Sequence, residues 1–213
     1  MWMQFSKLTE TPKFLGACIA IFMLGTGSAI ASTGNAPDSV VAKLNMALIH
    51  SMKMGPSSSF KSRFHALYPE MIHAYDFSKI AHYSLGTAWD KLSAPEKKQF
   101  VQALTHYSVA NYAAHFTHYA GQKFSSPISN SVPGHRMMVS TTLKSGNGGK
   151  NNTFDYLLSQ NHGQWKIINV MTDGVSNLAM QKAEFTGALK KGGIHALMNG
   201  INKRSEMLAH AAR

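Results

Sequence analysis

The chain has 213 residues, 44% of them hydrophobic and 15% charged, with 21 Lys and Arg against 10 Asp and Glu for a formal net charge of +11. That composition excludes a disordered tail or a fibrous chain and suits one domain with a real core. One cysteine, Cys18, excludes a disulfide framework. The positive balance attracts polyanions, either a membrane surface rich in anionic headgroups or nucleic acid, and serves solubility equally well. No Lys/Arg cluster marks a nucleic-acid face, and nucleic acid is not an expected partner.

The first 31 residues read as an address. Lys7 and Lys13 form a positive n-region, 14–24 an apolar h-region, and Ala29-Ile30-Ala31 an A-x-A site. The apolar run is short for a membrane span. Cleavage is expected after Ala31, leaving 32–213 as a single exported domain without a thiol. Leu15-Gly16-Ala17-Cys18 loosely resembles a lipoprotein signal, but apolar residues continue beyond Cys18, whereas a lipobox closes the run.

Helical patterning starts near Asp38-Ser39, either of which could cap it, with Val40, Leu44, Ala47 and Leu48 as the apolar stripe. Gly55-Pro56 breaks this helix. Ser57 to Ser59 can cap a second, carrying Phe60, Phe64 and Leu67 and interrupted at Pro69. Asp76 opens a third with Phe77, Ile80, Ala81 and Leu85, followed by Gly86 and Trp89. Ser93-Ala94-Pro95-Glu96 is a capping box, and a long helix over 95–119 follows. At Gly121 the period changes to alternation. Strands are expected over 122–129, over 135–144 with Met137, Val139, Thr141 and Leu143 on one face, and over 153–159 with Phe154, Tyr156 and Leu158 together. A Gly/Asn-rich loop over 145–152 and the turn Asn161-His162-Gly163 join them as hairpins.

The remainder is organised around WKIINVMTDGVSNLAMQKAEFTGALKKG, residues 165–192. It starts as a strand with Trp165, Ile167 and Asn169 on one side and Lys166, Ile168 and Val170 on the other. It turns at Asp173-Gly174 and restarts as an amphipathic helix through Val175, Leu178, Met180, Phe185, Ala188 and Leu189. Gly192-Gly193 ends that helix, and a last one runs over 194–208. Helices, then an antiparallel meander, then two helices define an α+β fold.

Little in the sequence assembles into a catalytic group. No acids pair as an acid–base couple, and Asp76, Asp90 and Asp173 suit helix starts and turns. His106, His115 and His118 share a helix, but no H-E-x-x-H or cysteine spacing marks a metal site. Gly174-Val175-Ser176 lacks the second glycine of a nucleophile elbow, and no phosphate-binding glycine motif occurs. Tyr107 and His115 are the residues to test were the chain an enzyme on an apolar substrate.

Asp76-Phe77, Leu85-Gly86-Thr87-Ala88-Trp89 and the 93–100 helix start form an ordered series. It continues with Trp165-Lys166-Ile167-Ile168-Asn169-Val170, Asp173-Gly174-Val175-Ser176, Phe185 and Gly192-Gly193-Ile194 through Leu197. Through this series the chain, from about Phe77 onward, resembles the MlaC family of periplasmic lipid-binding proteins from phospholipid-transport and toluene-tolerance systems. It also looks like the family's hopanoid-associated HpnM branch. The family often carries Asp at the place of Asn169, Glu at that of Asp173, and an Arg where Gln181 or Lys182 stands here. The resemblance implies a twisted sheet and helices around a deep apolar pocket. It further implies a phospholipid or hopanoid ligand, no cofactor, and shuttling between an inner-membrane transporter and an outer-membrane acceptor. The expected pocket residues are Leu85, Trp89, Phe100, Leu104, Tyr107, Val139, Thr141, Phe154, Tyr156, Ile167, Val175, Leu178 and Phe185, though periodicity does not separate pocket wall from packed core. A filled core without a cavity would instead suit a non-catalytic adaptor in a membrane complex.

Overall fold

The computed structural model describes residues 36–212. The leader, its cleavage site and Cys18 lie outside the described residues. Helix α1 (Pro37–Met54) starts one residue before the expected caps. Ala36 holds the cap position without a side-chain bond, and Asp38 lies in the first turn, where its charge favours the helix's positive end. Helix α2 (Phe60–Ala74) is capped by Ser59, whose Oγ accepts from Ser62 N at 3.1 Å, and it runs through Pro69 rather than stopping there. Asp76 caps α3 (Phe77–Leu85), and the single turn α4 (Thr87–Asp90) follows Gly86. Helix α5 (Ala94–His115) begins with the Ser93/Glu96 capping box in both directions and stops four residues short of the expected end, at Phe116.

The meander has more pieces than alternation suggested. The first expected strand is two, β1 (Lys123–Phe124) and β2 (Ile128–Val132), broken around Pro127. Both pair antiparallel with the same edge of β3 (Arg136–Lys144). A proline has no N–H for the ladder, so a break at an edge strand is where it fits. Strands β4 (Asn152–Asn161) and β5 (Gln164–Thr172) follow, and the Asp173-Gly174 turn leads first into a short β6 (Val175–Ser176) before α6 begins. The order is β1-β3-β4-β5-β6, with β2 beside β1 on β3.

A bulge in β5 corrects the alternation read from its sequence. Ile167 opposes Leu158 while Asn169 opposes Leu157, so Ile168 is an extra residue. Beyond it Val170 opposes Tyr156 and returns to the face of Ile167, and Asn169 leaves that face. Ile167, Ile168 and Val170 are consequently all buried. The chain before α3 docks here. Tyr75 forms a parallel bridge to Ile167, and Asp76 N donates to Ile167 O at 2.9 Å.

Helix α6 (Asn177–Ala211) is two helices meeting at Gly193, whose φ 68°, ψ −169° is open only to glycine. Arg204 pairs with Glu184 across the break. Twenty residues of continuous helix would part them by roughly 30 Å, so the chain reverses at Gly193.

Two apolar clusters result. The first lies between the sheet and α1, α2 and the C-terminal half of α5, around Leu48, Met71, Tyr112, Val139, Phe154, Tyr156 and Leu158. The second joins α3, the N-terminal half of α5 and both parts of α6, around Ala81, Phe100, Leu104, Phe185 and Ile201. Only Ile80 and Val101 flank both. Arg63 ties the two together. Buried to 1% exposure, it donates to Ala113 O at 3.0 Å, Gly55 O at 3.3 Å, Ala212 O at 3.2 Å and Ser58 O. Three of these are the C-terminal ends of α5, α1 and α6, whose partial negative charge offsets a cation that has no carboxylate partner among the described residues.

Candidate functional site

Where α2, α3, α5 and the start of α6 meet β5, an apolar seam holds a pocket of about 60 Å³. Its walls come from α2 (Met71), the linker (Tyr75), α3 (Phe77, Ile80), α5 (Ser108, Asn111, Tyr112), the β5 bulge (Ile168, Asn169, Val170) and the start of α6 (Asn177, Leu178, Gln181). An apolar cavity of about 150 Å³ admits a benzene-sized ligand. At about 60 Å³ the pocket has room for a few methylenes, well short of the deep pocket that the resemblance implies.

The seam is built by local devices. Ile168 reaches it because the bulge adds a residue. Asn169, turned off the core face, holds the first turn of α6. Its Oδ1 accepts from Leu178 N at 3.1 Å and from Ser176 Oγ at 3.3 Å, and its Nδ2 donates to Ser176 Oγ at 3.0 Å. Tyr75 and Tyr112 share a hydroxyl–hydroxyl bond of 2.8 Å. Burial pushes the Tyr112 phenol up to about 12. Burial, then the neighbouring Tyr112 and Tyr156 phenols, raises Tyr75 well above the usual range. Both stay neutral, as a hydrocarbon site needs. Tyr156 Oη is buried with no hydrogen-bond partner in the structure.

A second hollow, about 340 Å³, opens at the far end of the helix–sheet layer. Met52, Phe116 and Leu143 form its floor and His115, His118 and Lys150 part of its rim. Lys150 is paired with Asp173 at 3.0 Å. Asp173 also accepts from Thr153 N at 2.9 Å and Asn152 Nδ2 at 3.1 Å. Partial burial acts to raise the Asp173 carboxyl, but the bonds from Thr153, Lys150 and Asn152 outweigh it and hold it below the usual carboxylate value.

The thirteen expected pocket residues fall into four groups. Val139, Phe154, Tyr156 and Ile167 pack in the sheet cluster. Leu85, Phe100, Leu104, Tyr107 and Phe185 pack in the helical cluster, with Trp89 half-buried against it. Thr141 is buried under the helices, donating to Ser125 O at 2.8 Å. Leu178 alone lines the seam, and Val175 stands 51% exposed on β6. Of the thirteen expected residues, the seam thus takes in one. Tyr75, Ile168 and Val170 carry no signal of their own, because a linker bridge and a bulge put them there.

Tyr107 and His115 do not meet. They are eight residues apart on α5, about 12 Å along its axis. Tyr107 is buried in the helical cluster, where burial raises its phenol against the opposing effect of Arg204. His115 is at the surface, its Nδ1 2.7 Å from Asn111 O. No group of three or more His, Cys, Asp or Glu among the described residues is disposed to hold a metal.

The chain is thus a helix-covered antiparallel sheet with an apolar pocket where β5 meets the helices. The sequence matches the family model described as MlaC protein over residues 41–203, and the chain belongs to that family. The match takes in α1 and α2, upstream of the motifs that carried the resemblance. Among solved structures, the fold is shared with the phospholipid-binding protein from Ralstonia solanacearum, determined in complex with a phospholipid. The TM-score is 0.69 at 17% identity, covering 81% of this chain and 98% of that one. No curated protein matches the chain.

Proposed function

We propose that the protein is an exported lipid carrier whose ligand inserts its acyl or polycyclic hydrocarbon between the two clusters. The observation that carries this reading is the seam. Met71, Tyr75, Phe77, Tyr112 and Val170 of the sheet cluster line a small pocket together with Ile80, which also packs on the helical cluster, and its phenols stay uncharged. The Ralstonia protein of the same fold is bound to a phospholipid, which supports the same ligand class here. Burying a chain of about 16 carbons removes roughly 13 kcal/mol of exposure to water, at about 0.8 kcal/mol per methylene. A bilayer offers nearly the same, so transfer runs close to balance without covalent chemistry. A soluble shuttle in the periplasm, released by cleavage after Ala31, would then move lipid between an inner-membrane transporter and an outer-membrane acceptor.

The test is native mass spectrometry of the protein from its own cells, followed by lipid extraction. A bound phospholipid supports the general reading and a bound hopanoid the HpnM-like one. A bare protein that also refuses added lipid refutes carriage and leaves the adaptor reading.

A further inference from the structure

The net positive charge has no role in the seam, and it is unevenly compensated over the surface. The ion pairs among the described residues are Lys79–Asp76, Lys150–Asp173, His195–Glu96 and Arg204–Glu184. None falls on the outer side of α1. There Lys43, Met46, His50 and Lys53 form one exposed stripe at helical spacing. Beside it a wide groove of about 610 Å³ runs to the broken edge strand, with Lys123, Phe124 and Pro127 on its far wall and no carboxylate in its lining. Lys53 lies over the Tyr119 ring at 5.1 Å and so overhangs the groove. Met46 and Ile128, the latter following Pro127, are each 64% exposed. The acids on this side of the molecule include Asp38, in the first turn of α1, and Glu70 of α2, which shares a hollow with Lys43 at the other border.

We propose that this face docks on an anionic lipid bilayer. Its lysines pair with no carboxylate among the described residues, so a negative surface complements them. Met46, on the border of the groove, and Ile128 both face solvent, as side chains do that enter the headgroup boundary between snorkelling lysines. The outer edge of β1 and β2 has no strand partner among the described residues, and its Lys123, Pro127 and Pro133 discourage strand addition, which favours a membrane over a peptide. The surface is separate from the seam, so docking is distinct from lipid carriage.

The test is co-sedimentation of the chain with vesicles of phosphatidylglycerol and phosphatidylethanolamine, and with phosphatidylcholine alone, at low and high salt. The variants are K43Q/K53Q/K123Q, M46S/I128S and the charge-matched K190Q/K191Q/K203Q on α6. All substituted positions are exposed, and any contribution of residues 1–35 is common to all four proteins. Expected is salt-sensitive binding to the anionic vesicles only. The first variant should weaken it by about fivefold per lysine, on the order of a hundredfold in all. The second should weaken it at unchanged salt dependence, and the α6 variant should change it little. Equal loss in both lysine variants would reduce the effect to net charge and overturn the proposal. Absence of wild-type binding would overturn it in favour of a protein partner.

Discussion

Replacing Arg63 tests whether one buried cation holds the two halves of the molecule in register. Its guanidinium serves four carbonyls, at Ala113, Gly55, Ser58 and Ala212. Those groups come from three helix ends and the loop before α2, and Ala212 closes the helix that carries much of the second cluster. Arg63→Ala removes a donor from all four, of which Gly55 O keeps the Ser58 N–H, at about 1–3 kcal/mol for each group that water does not reach. Relief from desolvating the cation offsets part of this. The expected net loss is about 4 kcal/mol, near the cost of breaking a buried charge network. For a domain of this size that lowers Tm by roughly 8–16 °C. Arg63→Lys should recover less than half, because one ammonium cannot span Ala113 and Ala212 together. Arg63→Met restores volume without donors and should stay close to the alanine variant. Urea unfolding followed by circular dichroism measures all three. A loss below about 1 kcal/mol in Arg63→Ala, or full recovery by methionine, would show that packing rather than carbonyl satisfaction is what the side chain supplies.

Gly193→Ala should destabilise by about 1–3 kcal/mol, because its φ of 68° at ψ −169° is strained for any side chain although nothing lies within 4 Å of the added Cβ. Thermal unfolding reads it, and an unchanged Tm would mean the reversal tolerates another backbone. Tyr75→Phe and Tyr112→Phe should each cost about 1–2 kcal/mol by orphaning the partner hydroxyl, while the double variant costs less than their sum. Additive losses in that double-mutant cycle would argue against the shared bond. Asp173 titrates below its ordinary value, so its contribution is present above the unfolded pKa of about 3.9 and is lost as pH falls through the lower folded pKa. The stability gap between wild type and Asp173→Asn should hold from neutral pH to about pH 4 and close below it. A gap that widens on acidification would reverse the assigned sign.

The parts legible in the sequence are those fixed by neighbours in the chain. The Ser93/Glu96 box, the Asp76 cap and the Asp173-Gly174 turn stand where residue type demanded them, because each is a bond across two or three positions. The break at Gly193 was visible for the same reason. Pro69 misled because a helix whose apolar side is buried, with Leu67 and Met71 at 0% exposure, retains a proline that an isolated helix would not. The bulge was illegible. Nothing in Ile167-Ile168-Asn169 marks an extra residue, and it is fixed by pairing with Leu157 and Leu158 on one side and Tyr75 on the other. That one residue moved Asn169 off the core face and Val170 onto it, and the candidate site moved with them.

The same bulge explains why the clusters stay distinct. A regular β5 would keep strict alternation, so Val170 would oppose the face that Ile167 packs. With Ile168 inserted, Ile167 and Val170 complete the sheet cluster while Asn169 is free to anchor α6 through Leu178 N and Ser176. The α6 hairpin is thus attached to the sheet at its first turn, and at its far end to α1, α2 and α5 through Arg63. Between those ties it packs on α3 and α5. An element held at both ends and lined by apolar residues between them can move aside without unravelling. Parting the seam exposes apolar surface to water, and an entering hydrocarbon chain covers it again. Under the proposed function, a hydrocarbon ligand would thereby offset the cost of opening.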